Sequence, residues 1–181
     1  MAHLSPEDAA LLDWRRRKDE HFSSGRGPVP PEALADFRGL SYYPPDPAWR
    51  FRAELEPPPP GSPPELELET STGEPRFMAL AGQLTFSLPQ GPASLLAFAD
   101  LGDEAPGQLF IPFRDATSGG ETYGAGRYVE APVTRGEDGV WAHVDFNRAY
   151  HPLCLFSERW SCPLPPAANT LPVAVRAGER L

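Results

Sequence analysis

Proline constrains this chain more than any other residue. Its 24 prolines and 16 glycines make up more than a fifth of the 181 residues, against an average usage of about 12% for the two together. Proline removes a backbone donor and clashes inside a helix, so few stretches can support long helices. With 40% hydrophobic and 10% aromatic residues, the chain still carries enough apolar material to pack one core. The expected fold is mainly β: a single-domain antiparallel β-sandwich or barrel-like fold with one N-terminal helix and a short second helix. Residues 1–40 are expected as a helical segment packed on the core, and 41–181 as the β-rich domain, in one folding unit.

The helix start is legible. Ser5 can cap, Pro6 suits the first helical position, and Glu7 and Asp8 place negative charge at the positive end of the dipole. Leu11, Trp14 and Phe22 lie near one face, which Lys18 interrupts. A second, short helix is expected over Pro31 to Phe37, closed by Gly39, and Ser41 to Pro47 runs extended because proline disfavours helix in the residue before it. From Trp49 the period becomes two, with Trp49, Phe51, Ala53 and Leu55 alternating with charged residues. The Pro57 to Pro64 run reads as an exposed loop or stiff spacer, since alternation resumes in Glu65 to Glu69. Further strands are expected at Arg76 to Leu80, Gln83 to Leu88, Ser94 to Ala99, Gln108 to Arg114, Thr122 to Glu130, Val140 to Phe146 and Leu171 to Arg176.

A formal net charge of −9 argues against nucleic acid, whose binding grows with the number of Lys and Arg contacts. The one basic run, Arg15 to Lys18, is diluted by acids and reads as a solvated helix face. No apolar stretch approaches the roughly 20 residues that span a bilayer. The acidic N-terminus, with no leader pattern, leads us to expect a cytoplasmic protein. In that compartment Cys154 and Cys162 are expected as reduced thiols.

Two segments concentrate polar chemistry. Arg114, Asp115, Thr117, Glu121, Tyr123, Arg127 and Tyr128 surround a glycine-rich turn, whose amides can form an anion-binding nest completed by the planar forks of Arg114 and Arg127. The alternative is that these arginines pair with Asp115, Glu121 or Asp145 and fasten the hairpin. The segment is not a phosphate loop, because neither lysine nor helix follows the glycines. In the second segment Asp145, Asn147 and Tyr150 join the candidate ligand-binding residues. His143, His151, Cys154 and Cys162 have metal-binding chemistry, but the spacing matches no metal pattern and no metal or cofactor is assigned.

These motifs, Phe113-Arg114-Asp115-x-Thr117 through Gly126-Arg127-Tyr128, Asp145-Phe146-Asn147-x-Ala149-Tyr150-x-Pro152-x-Cys154, and Cys162-Pro163-x-Pro165-Pro166-x-x-Asn169, resemble the bacterial and archaeal domain-of-unknown-function family 1684. Trp14-Arg15-x-x-Lys18-Asp19-x-x-Phe22 and Phe37-x-Gly39-Leu40-x-Tyr42-Tyr43-Pro44 extend the resemblance over nearly the whole chain. It implies no established activity. The family pattern usually has Asn at the position of His151 and an aliphatic residue at His143, which weakens any histidine-based site. Three functional readings follow. The first is a small-molecule binding module with an Arg/Asp/Tyr-lined pocket for an anionic or polyhydroxyl ligand. The second is a hydrolase using two carboxylates among Asp115, Glu121 and Asp145. The third is a purely structural role for the motifs.

Overall fold

The computed structural model describes residues 4–181. Its one long helix, α1, spans Pro6–Ser23, and Ser5 caps it by accepting the Asp8 N–H at 3.0 Å. Leu11 and Phe22 of α1 are buried as the apolar face requires. The basic run divides differently from the expected solvated face. Arg16 and Arg17 pair outward with Asp13 and Glu20, while Arg15 and Lys18, the chain's only lysine, turn inward. The Arg15 guanidinium is buried and donates to the carbonyls of Tyr43 and Asn147. The long stems of Arg and Lys allow this because they pack like apolar groups while the head finds acceptors.

The main sheet contains β2 (Arg50–Glu54), β3 (Glu65–Leu68), β4 (Arg76–Leu88), β5 (Gly91–Ala99), β6 (Gln108–Phe113), β7 (Arg127–Gly136) and β8 (Gly139–Asp145). All pairs are antiparallel, in the order β2-β8-β7-β6-β5-β4-β3. A separate two-stranded sheet joins β1 (Ser41–Tyr42) to β9 (Glu179–Arg180). The mainly β expectation with one N-terminal helix is therefore what the chain forms. The large sheet curls until Glu56 and Gln83 exchange backbone hydrogen bonds, yet it does not close into a barrel. Gly82 is required at this approach, because a Cβ there would lie 2.3 Å from the Glu56 carbonyl oxygen.

Several boundaries differ from the sequence expectation, each for a local reason. The separate strands expected at Arg76–Leu80 and Gln83–Leu88 are one strand, β4, with a register shift between Leu80 and Gly82. The second helix is only a 3-10 turn, Pro31–Ala33. Thr122 to Gly126 belongs to a turn, so β7 starts at Arg127. Leu171 to Arg176 forms no strand, since its Val175 N–H and C=O are taken by side chains described below.

Strand alternation sorts two apolar clusters onto the two faces of the sheet. On the inner face, Leu109, Ile111 and Phe113 of β6 join Val129, Val144 and Phe146. Phe146 is the hub: its ring meets Trp49, Phe51, Phe86 and Phe113 edge-on, at centroid distances of 5.2 to 6.0 Å. On the opposite face lie Leu68, Met78, Leu80 and Phe98, with Phe110 packed against them. Between β5 and β6 only Phe98 and Phe110 are in register. Asn169 fills the gap: its amide donates to the carbonyls of Leu96 and Pro112 and its oxygen accepts from Leu96 N–H. Pro112 contributes no N–H of its own, so a side chain stands in for the missing ladder.

Replacing Phe146 with Ala removes the shared partner of four rings. The expected cost is about 3–5 kcal/mol, read as a fall of roughly 6–20 °C in the thermal midpoint. A fall under about 2 °C in a calorimetric scan would contradict the hub assignment.

Candidate functional site

The glycine-rich segment is a tight knot that places Asp115 and Arg127 side by side in the interior. Gly119 at φ 88° turns the chain so that its N–H reaches Thr122 O, while Thr122 N–H returns to Thr117 O. The Asp115 carboxylate accepts the Thr117 and Ser118 hydroxyls on one oxygen and Val175 N–H, at 2.6 Å, on the other. Arg127, only 1% exposed, donates to the carbonyls of Val175, Ala177 and Glu179 at 2.6 to 2.9 Å and to Asp115 at 3.4 Å. Arg114 uses Nε and one terminal nitrogen on the carbonyls of Gly124 and Pro165. Both forks thus bind this chain's own backbone, where the anionic-ligand reading needs them turned toward a ligand.

The remaining carboxylates are also met within the fold. Glu121 receives a bidentate hydrogen bond from Arg176 and the phenol of Tyr43 at 2.7 Å. Arg176 above all, then Tyr43, holds its carboxyl at about 2. Burial, followed by the facing Glu121, pushes the Tyr43 phenol up to about 12. Asp145 sits beside Arg50 and Arg148 and caps Asn147 N–H at 3.0 Å. The buried Asn147 side chain engages both the N–H and the C=O of Asp46. The Glu121 carboxylate, held ionised by Arg176, is poorly suited to act as a general acid.

The histidines separate. His143 is exposed and meets Thr134 at 3.0 Å, whereas His151 is buried with Glu179 and Tyr123. His151 Nε2 accepts Tyr123 N–H at 3.2 Å, so that nitrogen carries no proton. Burial, aided by Arg127 and Lys18, lowers its pKa to about 4. Lys18 and His151 N–H both converge on the buried Glu179 carboxylate. Among the described residues no group of three or more His, Cys, Asp or Glu has metal-holding geometry.

An open groove of about 560 Å³ lies on the sheet face opposite the main core. Of the sequence-chosen residues, Tyr128 and Tyr150 line it, and Arg114, Asp115, Thr117, Glu121, Tyr123, Arg127, Asp145 and Asn147 do not. Its floor is aromatic: Phe110 meets Tyr128 at 4.7 Å and Tyr128 meets Tyr150 at 5.6 Å, with Phe98 beside them. Trp160, 44% exposed, stands at its wall. Asp100, Asp103, Gln108 and Glu130 supply acceptors, and among the described residues Arg76 is the one basic residue in the lining. Tyr128 donates to Pro163 O, and Tyr150 faces Glu130; burial first of all pushes both phenols up. Sequence reasoning missed Arg76, Phe98, Phe110, Glu130 and Trp160 as a group, because they come from four strands and a separate loop. The available signal was the unbroken apolar runs Leu95 to Ala99 and Leu109 to Phe113, which leave neither face of those strands polar.

Together these features define a protein with an open, curled antiparallel sheet and a concave aromatic site on its second face. The chain belongs to the protein family of unknown function DUF1684, whose model matches residues 35–180. It is similar to the solution NMR structure of an uncharacterized protein from gene locus rrnAC0354 of Haloarcula marismortui. That similarity has 41% identity and a TM-score of 0.73, and covers 97% of this chain and 94% of the other. No curated protein matches. Among the described residues, no helix is long and apolar enough to cross a membrane.

His151 gives a pH prediction with a definite sign. Its folded pKa of about 4 lies below the ordinary 6.5, so between these values the unfolded chain binds the extra proton. Stability is therefore fully present above pH 6.5 and falls toward pH 4, by about 3 kcal/mol in order of magnitude. Below pH 4.5, protonation of Glu121 in the unfolded chain lowers stability further, down to about pH 2. Urea midpoints measured across this range should show the upper limb in the wild type and lose it in His151→Asn; an unchanged limb in the variant would refute the assignment.

Proposed function

We propose that this protein is a small-molecule binding module whose site is the aromatic groove, and that its ligand is polyhydroxylated and uncharged. The observation that carries this reading is the composition of the groove: a floor in which the half-buried rings of Phe110 and Tyr150 are open to it, backed by the buried Phe98 and Tyr128, beside a rim bearing Asp100, Asp103 and Glu130. Aromatic faces pack against the C–H faces of a ring, and carboxylates accept hydrogen bonds from hydroxyls. Its volume of about 560 Å³ falls within the roughly 300–1,000 Å³ typical of ligand sites. Three carboxylates against one arginine disfavour an anion, so the polyhydroxyl half of the sequence expectation is retained. The hydrolase reading gains no support from Asp115, Glu121 and Asp145, since each is occupied by an arginine.

Amide chemical-shift mapping with neutral mono- and disaccharides, and with sugar phosphates in parallel, tests this. Neutral sugars should move the amides around Phe98, Phe110 and Tyr150, and sugar phosphates should bind more weakly. Trp160→Ala should weaken neutral-sugar binding by roughly 3–10-fold, the worth of one aromatic contact. Shifts clustered away from the groove, or affinity indifferent to both Trp160→Ala and Glu130→Gln, would overturn the proposal.

A further inference from the structure

Cys154 and Cys162 bracket the irregular segment that forms one wall of the groove. Both are free thiols: Cys154 is half-buried, in the 3-10 turn Leu153–Leu155, and Cys162 is buried and lines the groove. The Cys154 N–H donates to Cys162 Sγ at 3.3 Å, so the two residues touch across the loop they enclose. Each end is anchored. Leu155 N–H bonds Pro152 O, and Cys162 exchanges N–H and C=O hydrogen bonds with Ser71. The stretch between them carries Trp160, which is held through Ser157 and Ser71 rather than by a strand ladder.

We propose that Cys154 and Cys162 form a reversible dithiol–disulfide site, oxidised by a low-molecular-weight disulfide, which sets the shape of the groove wall. Cys154, the more exposed thiol, reacts first. Its thiolate attacks one sulfur of the small disulfide, forming a mixed disulfide and expelling one thiolate, which takes up the proton Cys154 released. Cys162 then loses its proton and attacks Cys154 Sγ, expelling the second small thiolate, which is protonated in turn. The protein gives up two electrons and two protons, and the small disulfide becomes two thiols. Burial pushes the Cys162 thiol up, so this thiol rests uncharged against the groove. The bond would tighten the segment that carries Trp160. The thiol chemistry stands independently of what the groove holds; only its effect on ligand binding rests on the function proposed above.

The test uses the full chain, oxidised glutathione as the probe, and intact mass together with hydrogen exchange. The native wild type should lose two hydrogen masses, keep no glutathione, and return to the starting mass in excess dithiothreitol. Its thermal midpoint should rise by roughly 5–10 °C, as closing a loop this short implies, and exchange should slow between residues 153 and 162. C162S should retain one glutathione on Cys154, and C154S none. A wild type that stays reduced, or that keeps a glutathione adduct while folded, overturns the proposal. A disulfide that forms without slowing exchange in the segment removes its role in the groove wall. A disulfide that forms and slows exchange in a protein binding no sugar refutes the ligand reading and leaves the redox site standing.

Discussion

The buried guanidinium of Arg127 is the interaction on which the rest of the structure depends. A charge this deep is tolerated only when paired and hydrogen-bonded. Here the pairing is supplied by Asp115 and by three alternate carbonyls, those of Val175, Ala177 and Glu179. A single side chain gathers them, so residues 175–178 lie against the main sheet without joining it, before Glu179–Arg180 pairs as β9 with β1. Gly178 makes the bend at φ 79°, where a Cβ would come within 2.6 Å of the Ala149 carbonyl oxygen.

Fixing that segment positions much of what surrounds it. Glu179 is delivered to the interior, where Lys18 from α1 and the His151 backbone N–H meet its carboxylate. Arg15, one helical turn before Lys18, reaches Tyr43 and Asn147. Tyr43 in turn bonds the Gly178 carbonyl, so helix, C-terminus and the first extended segment share one polar network. The neighbouring Tyr150 pairs its backbone with Tyr128. That pairing sets both rings in the floor of the groove. The polar network and the groove are thus two faces of one arrangement, although they share few residues.

Much of this was legible from particular residues. Ser5 and Pro6 announced the helix, and the alternation of Trp49, Phe51 and Ala53 announced β2. Ala142, Val144 and Phe146 share the inner face as period two requires. The side-chain partners were less visible, because pairing is a property of three-dimensional proximity. Asp115 and Arg127 are adjacent motif residues, but nothing in their spacing shows that carbonyls from residues 175 to 179 complete their coordination. Leu171 to Arg176 looks like a strand by its alternating valines, but its backbone bonds are divided between the Arg114 and Ala116 backbone and, at Val175, the side chains of Asp115 and Arg127. Arg15 and Lys18 read as solvated because charge runs usually are; the acceptors that draw them inward lie outside the helix, at Tyr43, Asn147 and Glu179, the last two more than a hundred residues away.

The most direct test of this account is the unfolding free energy of Arg127→Met, measured by urea titration beside the wild type. Methionine keeps much of the volume and removes every donor, leaving the Asp115 carboxylate buried without its counter-charge. The account predicts a loss of about 3–5 kcal/mol, with the double variant Asp115→Ala/Arg127→Met less destabilised than the sum of its parts. A loss under about 0.5 kcal/mol, as at an ordinary surface position, would contradict it.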